Sequence, residues 1–173
     1  MAPTVDRKKL FDEMLWPHLR AAYNVARWLV RNDHDAEDIV QESFVKAFLA
    51  LDRMRGGDSR VWLLAIVRNT ALSLLRRRGS DAPATRDQAP DPPDHRESIE
   101  AALLAAERRD QVRNAIEGLP GEFRETIVLR ELEGLSYKDI AAVLDVPVGT
   151  VMSRLARARK MLLQALTPER TER

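Results

Sequence analysis

Through both halves of this chain apolar residues recur at intervals of three and four, the spacing that gathers them on one side of an α-helix. Phe11 and Leu15, then Leu19, Ala22, Tyr23, Ala26 and Leu29, keep that spacing. Pro17, with its fixed φ and missing N–H, marks a break or restart between them. From Asp35 to Leu51 the inward stripe is Ala36, Ile39, Val40, Phe44, Ala47, Phe48 and Leu51. The outward stripe is Asp38, Gln41, Glu42 and Val45, which suits either a solvated acidic face or an acidic docking ridge. After the polar segment Arg55-Gly56-Gly57-Asp58-Ser59 the pattern predicts a further helix from about Arg60 to Arg78. It buries Leu63, Leu64, Val67, Ala71, Leu74 and Leu75 and leaves Trp62, Asn69 and Thr70 partly exposed. Gly56-Gly57 permits unusual backbone angles at a loop tip, compatible with gripping a ligand and equally with turning a corner.

The pattern stops between Gly79 and Ser98. That stretch holds Pro83, Pro90, Pro92 and Pro93 with Asp81, Asp87, Asp91 and Asp94 and almost no large apolar residue, so it cannot bury enough surface to order itself. The reading is an N-terminal domain, 1–78, a flexible linker, 79–98, and a C-terminal domain, 99–173; the alternative is a long structured loop inside a single domain, which proline and acid both oppose. The second domain opens with an apolar stripe of Ile99, Leu103, Leu104, Val112 and Ile116. Leu119-Pro120 then restarts a helix carrying Phe123, Ile127, Val128 and Leu132, which Gly134 closes as a C-terminal cap.

From Leu135 to Arg159 the chain reads as a helix-turn-helix. Ser136 caps the first helix, Asp139 stands three residues on as in a capping box, and Leu135 can staple onto Ile140. Ile140, Ala141 and Leu144 form its buried edge. Asp145-Val146 leaves room only for a tight turn, and Pro147 suits the first turn of a second helix. There Val151, Leu155, Ala158 and Leu162 make the packing stripe, while Thr150, Ser153, Arg154 and Arg157 share another face. Val148, Gly149 and Thr150 are small enough to bring the helix N-terminus, whose amides favour anions, close to a phosphate backbone. Arg154 can fork onto guanine or phosphate. The plainer alternative is a helical hairpin with a solvated basic face; caps, short turn and paired faces together favour DNA.

Composition narrows the class. The chain has 173 residues, 45% of them hydrophobic and only 5% aromatic, with few glycines, a profile of helices rather than sheets. The longest apolar run, Val61 to Val67, is far short of the roughly 20 residues that cross a bilayer, and no charged-then-apolar leader is read. A cytoplasmic protein without membrane insertion is expected. With no Cys, with His18, His34 and His95 far apart, and with no Gly-rich phosphate loop or nucleophile beside a base, the reading is no metal, no cofactor and no enzyme. The net charge of +1 hides two basic blocks: seven arginines between Arg53 and Arg78 against Asp58 alone, and five basic residues against two acids from Ser136 to Leu166. Two such blocks point to two contacts with a polyanion.

Three blocks of sequence, in order, carry a resemblance: Asp35 through Phe48, Trp62 through Asn69, and Gly134 through Tyr137 with Val146 through Arg154. With the linker between them the chain resembles an extracytoplasmic-function sigma factor, from about Phe11 to Leu166. The resemblance implies an all-α fold of two small helical domains joined by a flexible linker, the second containing the helix-turn-helix. It implies that Asp38, Gln41 and Glu42 dock on core RNA polymerase. Met54, Arg55, Gly56, Asp58, Ser59 and Asn69 would hold an unstacked base of the minus-ten element, offsetting an unstacking cost of a few kcal/mol. Met54 stands where the family often has an aromatic residue. Val148, Gly149, Thr150, Ser153, Arg154 and Arg157 would lie on the minus-thirty-five duplex, where base contacts are worth about 1–3 kcal/mol each. Two modules held by one polymerase gain selectivity from avidity. An anti-sigma partner is expected to supply restraint. A dimeric operator-binding regulator and a purely protein-binding helical adaptor are the alternatives.

Overall fold

A computed structural model describes residues 6–79 and 99–167; beyond Gly79, the linker read from the sequence lies outside them. Among the described residues all regular structure is helical: α1 (Arg7–Met14), α2 (Leu19–Val30), α3 (Asp33–Leu49), α4 (Ser59–Arg78), α5 (Ile99–Glu117), α6 (Gly121–Ile127), α7 (Tyr137–Leu144) and α8 (Val148–Leu166). Side chains set most of the starts. Asp6, Asn32, Asp58 and Ser136 each accept a backbone N–H from the first turn they precede, at 2.8–3.1 Å. Pro17 sits in a short 3₁₀ turn, Trp16–His18, that separates α1 from α2.

In the N-terminal half α2, α3 and α4 pack on one another around Ala22, Val25, Ile39, Leu63, Leu64 and Val67. Phe11 brings α1 onto this bundle, edge-on to Phe44 and Phe48 with ring centres 5.8 and 5.4 Å apart. In the C-terminal half α6, α7 and α8 close over Ile127, Leu129, Ile140, Leu144, Val151, Leu155 and Ala158. α6 runs on through a π-helical turn, Val128–Leu132, in which the Glu133 N–H reaches back five residues to the Val128 carbonyl at 3.1 Å. Gly134 ends it at φ +66°, and a Cβ there would meet nothing within 4 Å. Gly134→Ala therefore carries only the left-handed backbone penalty, and a loss of about 1 kcal/mol is expected in urea unfolding.

The two halves are not held apart. α4 packs against α7, and α2 against α6. Several expected burials change with that arrangement. Thr70 is fully buried, because α4 is flanked both by α3 and by the C-terminal half, and its Oγ1 accepts from Lys46 Nζ at 3.2 Å. Ile99, Leu103, Leu104 and Val112 are exposed, Ile99 by 90%; α5 enters the core only at its end, through Ile116 and then Leu119. Leu75 and Phe48 lie at the rim of the bundle. On α7, Val143 takes the buried place expected of Ala141, which is half-buried. Leu51 is buried in a separate 3₁₀ turn, Leu51–Arg53.

Candidate nucleic-acid interface

The turn between α7 and α8 is tight for a stereochemical reason. Asp145 takes a left-handed conformation at φ 53°, the Val146 N–H returns to the Ala141 carbonyl, and Pro147 becomes the N-cap rather than the first turn of α8. The Pro147 carbonyl then accepts from Thr150 and Val151. α8 buries Val151, Leu155 and Ala158, with Leu162 at the core's rim. Its open front is Val148, Gly149, Met152, Ser153, Ala156, Arg157 and Lys160.

Four of the six residues read as duplex contacts, Val148, Gly149, Ser153 and Arg157, lie on that front, and Thr150 is half-buried at its edge. Arg154 does not share the front. Its side chain is 20% exposed and turns to α6, 3.4 Å from Glu122 and 3.7 Å from Glu125. Three residues of the front are missing from the sequence reading of duplex contacts: Ala156, Lys160 and, 54% exposed, Met152. Its spacing, four after Val148 and three after Gly149, was the signal. Arg157 and Lys160 have no ion-pair partner among the described residues. Arg159, by contrast, is held by Glu131 at 2.7 Å, and donating to that carboxylate and to the Tyr137 hydroxyl raises its pKa.

The other predicted group divides as well. Arg55, Gly56 and Asp58 are exposed in the loop before α4, where Gly56 and Gly57 both have positive φ, and Met54 is half-buried at its start. The Asp58 carboxylate is occupied in capping α4. Ser59 Oγ lies 3.3 Å from His18 Nε2. Burial and then nearby Arg60 lower the His18 pKa against the opposing pull of Asp58. Asn69 is exposed on α4, ten residues beyond Ser59, an axial rise of about 15 Å at 1.5 Å per residue.

The first basic block is also partly engaged. Arg78 forks onto Asp35, which raises the arginine's pKa. Arg60 and Arg68 turn toward the C-terminal half. Arg60 donates to the Glu133 carbonyl and carboxylate, both at 2.8 Å, and Asn24 donates to the same carboxylate at 3.3 Å. Arg68 forks onto Glu125 at 2.8 and 3.0 Å and reaches the Leu144 carbonyl at 3.3 Å. Charge counting along the sequence treated these arginines as available to a polyanion; in the fold they bind carboxylates 57 and 73 residues away.

On α3, Asp38, Gln41 and Glu42 are all exposed along one ridge, together with Val45 and Leu49. Among the described residues Asp38 is 3.7 Å from His34 and Glu42 2.7 Å from Lys46, both one turn away on the same helix, and Asp38 also helps to raise the Arg78 pKa. Among the described residues no helix is long and apolar enough to cross a membrane.

A helix-turn-helix with an open front, joined to a second helical bundle that bears a glycine-tipped loop and a charged ridge, defines a two-module helical DNA-binding protein. Residues 16–80 match the family model for sigma-70 region 2, and residues 109–162 the model for sigma-70 region 4. The chain is 40% identical to the RNA polymerase sigma-H factor of Pseudomonas aeruginosa, over 93% of this chain and 88% of that one. It is 41% identical to the ECF RNA polymerase sigma-E factor of Salmonella typhimurium, over 78% and 75%. Among solved structures it is similar to the sigma factor RpoE of Bartonella quintana, crystallised with the anti-sigma factor NepR, at a TM-score of 0.74 and 31% identity over 94% of this chain and 99% of that one. CnrH, in complex with the cytosolic domain of CnrY, aligns at a TM-score of 0.65 and 30% identity, covering 92% and 91%. The chain belongs to the extracytoplasmic-function sigma factors of the sigma-70 family, which are transcription initiation factors.

Proposed function

We propose that this sigma factor binds core RNA polymerase through the α3 ridge and directs it to a specific set of promoters, as a cytoplasmic regulatory subunit rather than an enzyme. The observation that carries this reading is the ridge itself: Asp38, Gln41 and Glu42 stand exposed beside Val45 and Leu49, a mixed charged and apolar surface that DNA reading alone does not require. The loop from Met54 to Ser59 and Asn69 serve the minus-ten element. The test is reconstitution with core polymerase on a library of promoter fragments. Discrete, sigma-dependent start sites are the expected result; core polymerase unaffected by the added chain would overturn the assignment.

The front of α8 serves the minus-thirty-five duplex. Val148 and Met152 make part of that surface apolar, and the apolar feature of the major groove is the thymine methyl. Replacing thymines of the bound site by deoxyuridine should weaken wild-type binding by about 0.8 kcal/mol for each contacted methyl. Met152→Ala should bind more weakly and be indifferent to the exchange at its own base. Equal sensitivity of both proteins in a titration by fluorescence anisotropy would remove Met152 from the reading surface.

The relatives crystallised with anti-sigma partners support a third contact. A groove of about 420 Å³ lined by Trp28, Val112, Ile116 and Leu132 and rimmed by Arg108 and Arg109 suits an amphipathic segment with acidic flanks.

A further inference from the structure

The side chain that begins α2 is turned away from α2. His18 occupies the N-cap position, where Ser, Thr, Asn or Asp would bond the free amides, and its ring makes no bond to them. The ring meets the loop before α4 instead: Nε2 lies 3.3 Å from the Oγ of Ser59, the last residue of the segment Met54–Ser59. Gly56 and Gly57 both take positive φ in that segment, and Arg55 through Asp58 are exposed. The Met54 N–H bonds the Leu51 carbonyl at 3.1 Å at its start, and Asp58 reaches forward into α4. His18 adds a tie to a different element, the Trp16–His18 turn, which the fully buried Leu15 seats in the core. We infer that His18 is a positioning residue for promoter recognition: by holding Ser59 it fixes the end of the glycine-tipped loop against the bundle, so that the loop meets an unpaired base in one arrangement. The inference rests on the proposed role of this loop at the minus-ten element.

Such a tie matters most in a loop with two glycines. Glycine has more backbone states to lose than any other residue, and a loop that must be ordered on binding spends part of its contact energy on that ordering. A loop tethered beforehand spends less, and it also has fewer alternative shapes with which to accommodate a wrong base. Burial and then Arg60 hold the His18 pKa below the ordinary imidazole range, so at neutral pH the ring acts as a hydrogen-bonding group and not as a cation for phosphate. Arg60 itself is drawn to Glu133, which leaves the Ser59 hydroxyl to His18.

The chain has no Cys, so Arg55→Cys supplies a single site for a spin label on the exposed loop. In the free full-length chain His18→Leu, which keeps bulk and loses the hydrogen bond, should sharpen the label's spectrum as the loop gains motion. His18→Gln, whose amide can still bond the Ser59 hydroxyl, should leave the spectrum as in the parent. Without the label, the same variants are assembled with core polymerase on a promoter fragment opened across the minus-ten element. There His18→Leu should bind about fivefold more weakly, the worth of one hydrogen bond, and discriminate less among minus-ten bases. His18→Gln should recover most of both, and Ser59→Ala with His18→Leu should bind no more weakly than Ser59→Ala alone. Thermal melts certify folding, with His18→Ala in place of His18→Leu if the latter is unfolded. An unchanged label spectrum, or a loosened loop with unchanged affinity and base preference, would overturn the positioning role. Equal losses in His18→Leu and His18→Gln would do so too, since they mark a residue that only packs. If the wild-type holoenzyme has no preference among minus-ten bases, the loop's assignment falls and the recognition role with it, while the spectrum still decides the tether.

Discussion

A chain carrying Asp38→Lys and Glu42→Lys together is expected to bind core RNA polymerase at least tenfold more weakly, a loss of about 1.4 kcal/mol or more, while melting at the parent temperature. The two expectations separate because of where these carboxylates stand. Each is exposed, and among the described residues each is salt-bridged to a residue one turn away on α3, an arrangement worth about 0.3–0.5 kcal/mol to the fold. Lys46, released from Glu42, keeps its bond to the buried Thr70 hydroxyl. Nothing in the core depends on either carboxylate. At a docking surface, by contrast, a reversed charge meets the partner's complementary charge at close range and alters both encounter and retention. The measurement is a titration of labelled sigma factor with core polymerase beside a thermal melt. Wild-type affinity in a folded double variant would take the ridge out of the interface.

The largest effect on stability is expected from Leu155→Ala, at about 2–5 kcal/mol. Leu155 is 1% exposed on the inner stripe of α8, beneath α6 and α7, where neighbours cannot collapse into the vacated space without disturbing the helix they pack on. A domain stable by about 5–15 kcal/mol cannot absorb such a loss without consequence. The midpoint of urea unfolding should fall at unchanged slope. Duplex binding should fall with it, because the same helix presents Val148, Met152, Ser153 and Arg157. Leu163→Ala, eight residues on and 68% exposed, is the matched control, with a change within about 0.5 kcal/mol. Equal effects at the two positions would mean that α8 is not the central packing element of its half.

Local signals read well where a helix begins on its own side chain and buries one face. α3 begins on Asn32, and its outward stripe is exposed as its periodicity requires. α7 begins on Ser136 with Asp139 in the capping box, the two side chains 2.7 Å apart. The order of elements around the helix-turn-helix and the exposure of Gly149, Ser153 and Arg157 were readable for the same reason: caps and spacing act within a few residues.

Reading failed where a residue's environment comes from far along the chain. The apolar stripe of α5 has helical spacing and is still mostly exposed, since periodicity says that a helix has an apolar face and not that a partner covers all of it. Arg154 has the type and nearly the spacing of a reading residue, but its direction is set by Glu122 and Glu125 on another helix. The π-helical turn at Val128–Leu132 leaves no compositional mark.

By itself the sequence determined the helices, their caps, the tight turn at Asp145 and the family, because each rests on stereochemistry or hydrogen bonds among near neighbours. Only the tertiary structure decided which arginines are already bound, since Arg60 and Arg68 find their carboxylates on the opposite half, and a Coulomb contact depends on distance in space rather than separation along the chain. The same folding put Arg154 to the side of the exposed front of α8 and Met152 on it.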